Sequence, residues 1–399
     1  MLNFRSDETR TRRNVLSFPQ IAAIRPRRRE DFSLSSAPRG NVMHVITGLD
    51  VGGAETMLAT LAIAEAASGA PPIVVSLTSG GLIADRLTAA GVPVLDLAMV
   101  RGRPGIGGVM KLAGLIRRHQ PTVVQSWMYH ANLASTAALA VSGRRARTTH
   151  YWGIRCSDMD LDGYGPRFRL VVKAGARLSR WPDAVTCNSE AGIAVHEALG
   201  YRPRRFILID NGIDTVRFKP DSEARVEVRR IHGIAADAPV LAVVARVDPM
   251  KDYSTLLAAL DRLPDVTAIV MGEGTERLPD RPGLVRLGRC DDVPRVLAAA
   301  DLLVSASAYG EGFSNAIAEG MACGLPVVAT DVGDARRIVG ATGTVVPPRD
   351  PVALGAAIGD FFQSSDRCEQ GRAARRRIEA EFDLDGAIVR FRALHRGKD

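Results

Sequence analysis

The sequence predicts an α/β protein made of two doubly wound parallel sheets that face each other across a cleft. Short apolar runs alternate with helical stretches of about ten to fifteen residues, the pattern of parallel strands joined by helical crossovers. The alternation breaks once, in the polar segment 214–239 that carries Pro220 and Pro239, and then restarts. At 399 residues the chain has room for two such units.

The first unit opens with NVMHVIT (41–47) as a buried strand, the loop GLDVGG and the helix AETMLATLAIAEAA. PIVVSL (72–77), VPVLDL (92–97) and TVVQSW (122–127) are further strands, each followed by a helical segment. After a less regular stretch, AVTCNS (184–189) and RFILIDNGID (205–214) close the unit. The second unit runs through PVLAVVARV, VTAIVMG, LVRLG, DLLVSAS and PVVATD as strands. YSTLLAALDRL, VPRVLAAA and SNAIAEGMACG are its helices, and RRRIEAEFDLDGAIVRFRALHR (375–396) forms terminal helices. The expected division is a basic, disordered tail over 1–40, a first domain over 41–215, and a second domain over 216–379. Ligands of such sheets bind beyond the carboxyl ends of the strands.

Composition narrows the function. With 46% hydrophobic and 24% charged residues the chain is globular, and 5% aromatics leave its core to Ala, Val, Leu and Ile. The formal charge is +8, of which residues 1–40 hold +5: nine arginines against Asp7, Glu8, Glu30 and Asp31. The remainder is about +3, too little for a nucleic-acid groove. The tail's apolar patch NVLSFPQIAAI is too short and interrupted for an export signal or a membrane span. Five cysteines without a CxxC spacing point to a reduced, cytoplasmic protein rather than a metal knuckle or disulfide framework.

Four segments carry chemistry. GLDVGGAET (48–56) removes side chains at Gly52 and Gly53 just where a helix begins, a seat for phosphate. It is not GxGxxG, and no acid closes the second strand, which disfavours a nicotinamide or flavin enzyme. SWMYHAN puts His130 at the end of the fourth strand, where it is either structural or a donor to a hydroxyl or an anionic leaving group. ARVDPMKD places Arg246 and Lys251 five residues apart across a turn, able to converge on one diphosphate, or to remain ordinary loop charges. EGFSNAIAE sets Glu311 and Glu319 in an otherwise uncharged stretch. Ser314 is a candidate N-cap there, with the amides of Phe313, Ser314 and Asn315 turned toward the cleft. Paired glutamates allow glycoside hydrolysis or hydroxyl recognition through charge-assisted bonds.

Taken together and in order, GGAETML, NGIDTVRFKP, ARVDPMKDYSTLL, MGEGTER and EGFSNAIAEGMACGLPVVATDVGD resemble the blocks of the retaining nucleotide-sugar glycosyltransferases of GT-B fold. The likeness is to family four of bacterial polysaccharide and lipopolysaccharide enzymes, over residues 42 to 395. The resemblance implies that Glu311 binds hydroxyls of the donor sugar and Glu319 the nucleotide ribose. Arg246, Lys251, the amides of Phe313, Ser314 and Asn315, and the Gly52–Gly53 loop would hold the diphosphate. His130 matches the active-site histidine of the first domain, and Arg289 and Cys290 occupy the place that receives the base. It further implies a UDP-sugar co-substrate, no metal or other cofactor, and a glycan or polyprenyl-diphosphate-linked acceptor. A last helix (about 380–399) would return to the first domain. Nucleic acid is not an expected partner, whereas peripheral contact with the inner face of the cytoplasmic membrane is, for instance through VMKLAGLIRRH (109–119). Three departures stand out: Ala245 and Asp252 replace glycines, and Gly320 replaces an alanine. Two alternatives remain at this point, a nucleotide-sugar epimerase of the same fold and a nucleic-acid or membrane-binding module led by the tail.

Overall fold

The structure, a computed structural model, describes residues 41–50, 52–100, 105–157 and 165–397. The basic tail, Val51 of the glycine loop, and parts of the loops 98–108 and 150–170 lie outside the described residues.

Thirteen strands are found among the described residues, in two sheets. The first contains β1 (Val42–Ile46), β2 (Ile73–Ser76), β3 (Val94–Asp96), β4 (Val123–Trp127), β5 (Thr149–Ile154), β6 (Ala184–Cys187) and β7 (Phe206–Leu208). The second contains β8 (Val240–Val244), β9 (Thr267–Met271), β10 (Leu284–Arg286), β11 (Leu302–Ser305), β12 (Val327–Thr330) and β13 (Thr344–Val346). Their orders are β3-β2-β1-β4-β5-β6-β7 and β10-β9-β8-β11-β12-β13. All pairings are parallel, with His44 beside Gln125 at β1/β4 and Leu303 beside Ala242 at β8/β11. Both faces of these strands are covered, so β1 and β4 are buried at every residue, as parallel strands must be.

Strand β5 replaces part of the stretch read as irregular. Thr149–Ile154 is central, with His150, Tyr151 and Trp152 all buried. The helix Pro166–Leu178 follows in the same stretch. β13 and the helix Pro351–Gln363 were likewise absent from the sequence reading. RFILIDNGID contributes only three residues of strand, β7. SWMYHAN leaves β4 after Trp127, and His130 stands in the first turn of the helix Tyr129–Ser142, just past the strand end as expected.

The chain order produces one geometric consequence for function. Each sheet reverses its strand order once, between β1 and β4 in the first and between β8 and β11 in the second. At such switch points the neighbouring connections run to opposite faces and leave a crevice at the carboxyl edge. The connections that leave β1, β4, β8 and β11 carry Gly52 and Gly53, His130, Lys251, and Glu311 respectively.

The last helix, Leu384–His395, packs Ala387, Ile388, Phe391 and Leu394 into the core of the first sheet beside Val42, Ile46 and Trp127. A buried polar contact fixes it there: Glu65 lies between His44, 3.5 Å away, and His395, 3.4 Å away. Trp127 Nε1 donates to His44 Nδ1 at 3.2 Å.

Candidate functional site

The second sheet supplies the densest part of the site. β8 ends at Val244, and the turn Pro249–Lys251 follows, with Asp248 accepting from the Met250 amide at 2.9 Å. Asp252 then caps the helix Tyr253–Leu260 with φ at +45°, a conformation that glycine adopts freely. Aspartate tolerates it because its carboxylate accepts from the Thr255 amide (3.1 Å) and hydroxyl (2.6 Å). The change from glycine is thereby absorbed locally, and the turn still delivers Lys251.

Lys251 Nζ is bonded to Glu311 Oε1, and both side chains are largely buried. Ser307 Oγ donates to the same carboxylate oxygen at 2.7 Å. A lysine ammonium has three donors, so this pairing leaves Lys251 able to hold a phosphate oxygen as well. Glu311 is acceptor-only when ionised and keeps its second oxygen for hydroxyl donors. Arg246 does not join this pair. Its side chain is 56% exposed and bonds Asp248 of its own loop at 3.1 Å.

Beyond Glu311 the helix Asn315–Ala322 begins, with Ser314 at its N-cap. Ser314 is buried but makes no side-chain cap bond. The amides of Phe313, Ser314 and Asn315 donate to no acceptor among the described residues. With no acidic residue in the first turn, this helix end keeps its partial positive charge for a ligand. Glu319 sits one turn further in. Burial pushes its carboxyl up to about 7, opposed by the charge of Arg217. Gly320, where an alanine is common, is demanded by packing: a Cβ would lie 2.6 Å from Cδ2 of the fully buried Leu303. Cys290 lies partly buried against the second core, its thiol pushed up by burial, while Arg289 beside it is exposed.

The first sheet faces this end of the second domain. A Cβ on Gly53 would lie 3.7 Å from Asn315 Nδ2, so the glycine loop stands directly across from the helix start. Gly312 is close enough to Asn188 and Ser189 that a Cβ would meet both at 3.1 Å. Ser157 donates to the Glu311 carbonyl. His130, at the same edge, has its ring 6.1 Å from that of Phe168.

Several residues the sequence reading did not single out belong to this seam. Asp334 accepts from the amides of Glu190 (3.0 Å) and Ala191 (2.9 Å), the first two positions of the helix Glu190–Ala198. Arg337 bonds Asp334 at 2.8 Å and also Asp210, tying the second domain to the first. Arg155 follows β5 and donates through Nη1 to Ile209 O (3.0 Å) and Asn211 Oδ1 (3.1 Å). Asn211 in turn donates to Asn315 Oδ1 at 2.8 Å. The Arg155 guanidinium lies against Trp127 and Phe391, 4.9 and 5.1 Å from their ring centres. Burial pulls it down to about 10, so it stays a cation at neutral pH. No local sequence signal marks Arg155, because the strand it follows, THYWGI, mixes polar and aromatic residues.

Two family models match the chain in succession, Glycosyltransferase Family 4 over residues 51–217 and Glycosyl transferases group 1 over residues 238–364. The chain belongs to the family-four glycosyltransferases. The D-inositol 3-phosphate glycosyltransferase of Mycobacterium marinum is 31% identical over 43% of this chain and 40% of its own length. A GDP-mannose-dependent phosphatidylinositol monomannoside mannosyltransferase of Mycolicibacterium smegmatis is 32% identical over 39% of this chain and 47% of its own. The matches thus span less than half the length of these curated relatives. Among solved structures, Anabaena HepE in complex with UDP and glucose superposes with a TM-score of 0.76. It is 22% identical, over 88% of this chain and 98% of that one. WaaG, a glycosyltransferase involved in lipopolysaccharide biosynthesis, superposes at 0.67 with 16% identity, over 88% and 99%. These likenesses show the fold, the two-domain GT-B arrangement of family-four enzymes.

Proposed function

We propose that the protein transfers a sugar from a nucleotide-linked donor, of the UDP-sugar class, to a glycan or polyprenyl-diphosphate-linked acceptor. The reading assigns it retention at the anomeric carbon and no metal ion. It places the protein in the cytoplasm, in peripheral contact with the inner face of the membrane. The observation that carries the donor assignment is the meeting of Lys251, Glu311 and Ser307 beside the free amides of Phe313, Ser314 and Asn315, with Gly53 opposite.

In this reading the donor diphosphate lies between Lys251 and the helix start. As the bond from the anomeric carbon to the diphosphate breaks, negative charge grows on the departing oxygen. A fixed ammonium and oriented amides oppose that charge without reorganising, commonly a large catalytic contribution. Glu311 holds sugar hydroxyls and Glu319 the ribose, while Arg289 and Cys290 flank the base. Arg246 would swing from Asp248 to the diphosphate. His130 and the Gly52–Gly53 loop close on the donor from the first domain, with the acceptor attacking from the leaving-group face. A UDP-linked donor is supported by the fold's likeness to HepE, whose structure contains UDP and glucose. GDP-mannose, named for the Mycolicibacterium relative, is the rival donor.

The test is a panel of nucleotide sugars followed for release of nucleotide with and without lipid-linked acceptors. Release from one donor, accelerated by acceptor and giving a product with the donor's anomeric configuration, is expected. No binding or turnover of any donor would overturn the reading.

A further inference from the structure

The first domain reaches the helix start of the second through one chain of side chains. Arg155 follows β5, Asn211 follows β7, and Asn315 opens the helix Asn315–Ala322 beyond β11, so all three stand past the carboxyl edges of the sheets. Arg155 Nη1 donates to Asn211 Oδ1 at 3.1 Å, and Asn211 Nδ2 donates to Asn315 Oδ1 at 2.8 Å. Asn315 Nδ2 is left without an acceptor among the described residues. It faces Gly53 across the cleft, where a Cβ would lie 3.7 Å from it.

The direction of this chain is not free. An asparagine amide can turn over, exchanging its oxygen and nitrogen within the same space. A guanidinium only donates. Arg155 therefore requires the oxygen of Asn211, which turns the Asn211 nitrogen to Asn315 and so requires the Asn315 oxygen on that side. The Asn315 nitrogen is what remains for the cleft. Arg155 itself is firmly held: its guanidinium lies against Trp127 and Phe391, and Nη1 also donates to Ile209 O at 3.0 Å. Its Nε and Nη2 are buried without an acceptor, a cost the fold bears to keep a donor-only group at this position.

We infer that the Asn315 side chain is a further hydrogen-bond donor to the diphosphate of the sugar nucleotide, and that Arg155 is the positioning residue that fixes its direction through Asn211. The inference rests on the proposed diphosphate seat and adds to it a group that only the first domain orients. The backbone amides of Phe313, Ser314 and Asn315 are directed by their own helix. The Asn315 side chain is held nitrogen-first only while Asn211 lies against it, so the seat is complete when the two domains are together. An amide nitrogen there favours an anionic oxygen, whereas an acceptor-only group in its place repels one.

Calorimetric titration of the full chain with UDP and GDP, each set against its own nucleoside, tests it. The readout is the preference for diphosphate over nucleoside, which does not depend on the base the site accepts. Asn315→Ala should lower that preference about tenfold, the size of one bond to a charged oxygen. Asn315→Asp should lower it further, while an acid in the first helical turn favours the helix and preserves folding. Arg155→Gln can present either oxygen or nitrogen to Asn211. It should lower the preference about threefold, because only part of the population keeps the productive direction. In the Asn315→Ala background the same Arg155→Gln change should cost nothing more. A residue that merely supports the fold, or acts by charge at a distance, would cost the same in both backgrounds. Thermal melting of each variant checks folding. A wild-type preference retained by Asn315→Ala would overturn the inference and leave the diphosphate seat standing. An equal loss from Arg155→Gln in both backgrounds, or none in either, would overturn the role of Arg155. Wild type that prefers neither diphosphate to its nucleoside would remove the seat itself.

Discussion

The second domain brings its charged groups inward to the carboxyl edge of its sheet, where Lys251 meets Glu311 and a helix start lacks both acid and cap bond. The first domain carries its excess charge outward, on the helices Ile106–His119 and Pro166–Leu178, which have no carboxylate, and offers the cleft mainly glycines, His130, Asn211 and the buried Arg155. Two sheets of the same doubly wound kind therefore serve different physical tasks. Paired, partly buried charges hold fixed positions and suit a small polyanion. Unpaired surface charges are screened and adaptable, and suit an extended partner.

The comparison breaks first at Lys251. Lys251→Ala should lower kcat about 10²–10³-fold in steady-state transfer, the range for losing one fixed donor to a developing anion. A loss of that size from Arg167→Gln instead would reverse the roles of the two domains. Next in size is Gly320→Ala. The added methyl meets Leu303 and should lower stability by about 1–3 kcal/mol in urea unfolding. An unchanged midpoint would mean that the second core is looser than its packing indicates.

Glu319 sharpens the comparison through pH. Its folded carboxyl stands at about 7, above the ordinary value of 4.5, so the folded protein holds an extra proton between those values. Its contribution to stability is fully present below 4.5 and is lost as pH rises through 7. Nucleotide affinity should move the other way. Ribose hydroxyls donate to the ionised form, so affinity rises by up to about tenfold per pH unit below 7 and levels off above it. Glu319→Gln should bind more weakly and flatten both profiles, which paired calorimetric and melting series would read.

The smallest effect is expected at the seam. Asp334→Asn weakens the bonds to the Glu190 and Ala191 amides and to Arg337, and should reduce kcat/KM about threefold to tenfold. Small-angle scattering would show a wider spread of domain separations. An unaltered profile would mean that the other contacts between the domains, among them Arg337 to Asp210, Ser157 to Glu311 and Asn211 to Asn315, hold them without it.

The two domains also differ in how plainly their sequence speaks. Lys251 and Glu311 were visible because each lies a few residues past an apolar strand, and Glu319 because it is the one charge in an otherwise uncharged helix. β5 was not, because THYWGI follows the arginine-rich RRART and mixes polar and aromatic residues without a period, although it is buried in the middle of the sheet. The contacts of Asp334 with the Glu190 and Ala191 amides and of Arg337 with Asp210 join positions more than a hundred residues apart, and no local pattern encodes such a pairing. Arg246 shows the opposite failure: its motif position is plain, yet the side chain turns to Asp248 and solvent.

The claim that the second domain seats the donor's diphosphate is tested most directly by comparing UDP with uridine on wild type and Lys251→Ala by calorimetry. The account predicts that wild type binds UDP far more tightly than uridine. Lys251→Ala should lower that preference by about tenfold or more while leaving uridine affinity unchanged. An equal preference for UDP over uridine in both proteins would contradict it.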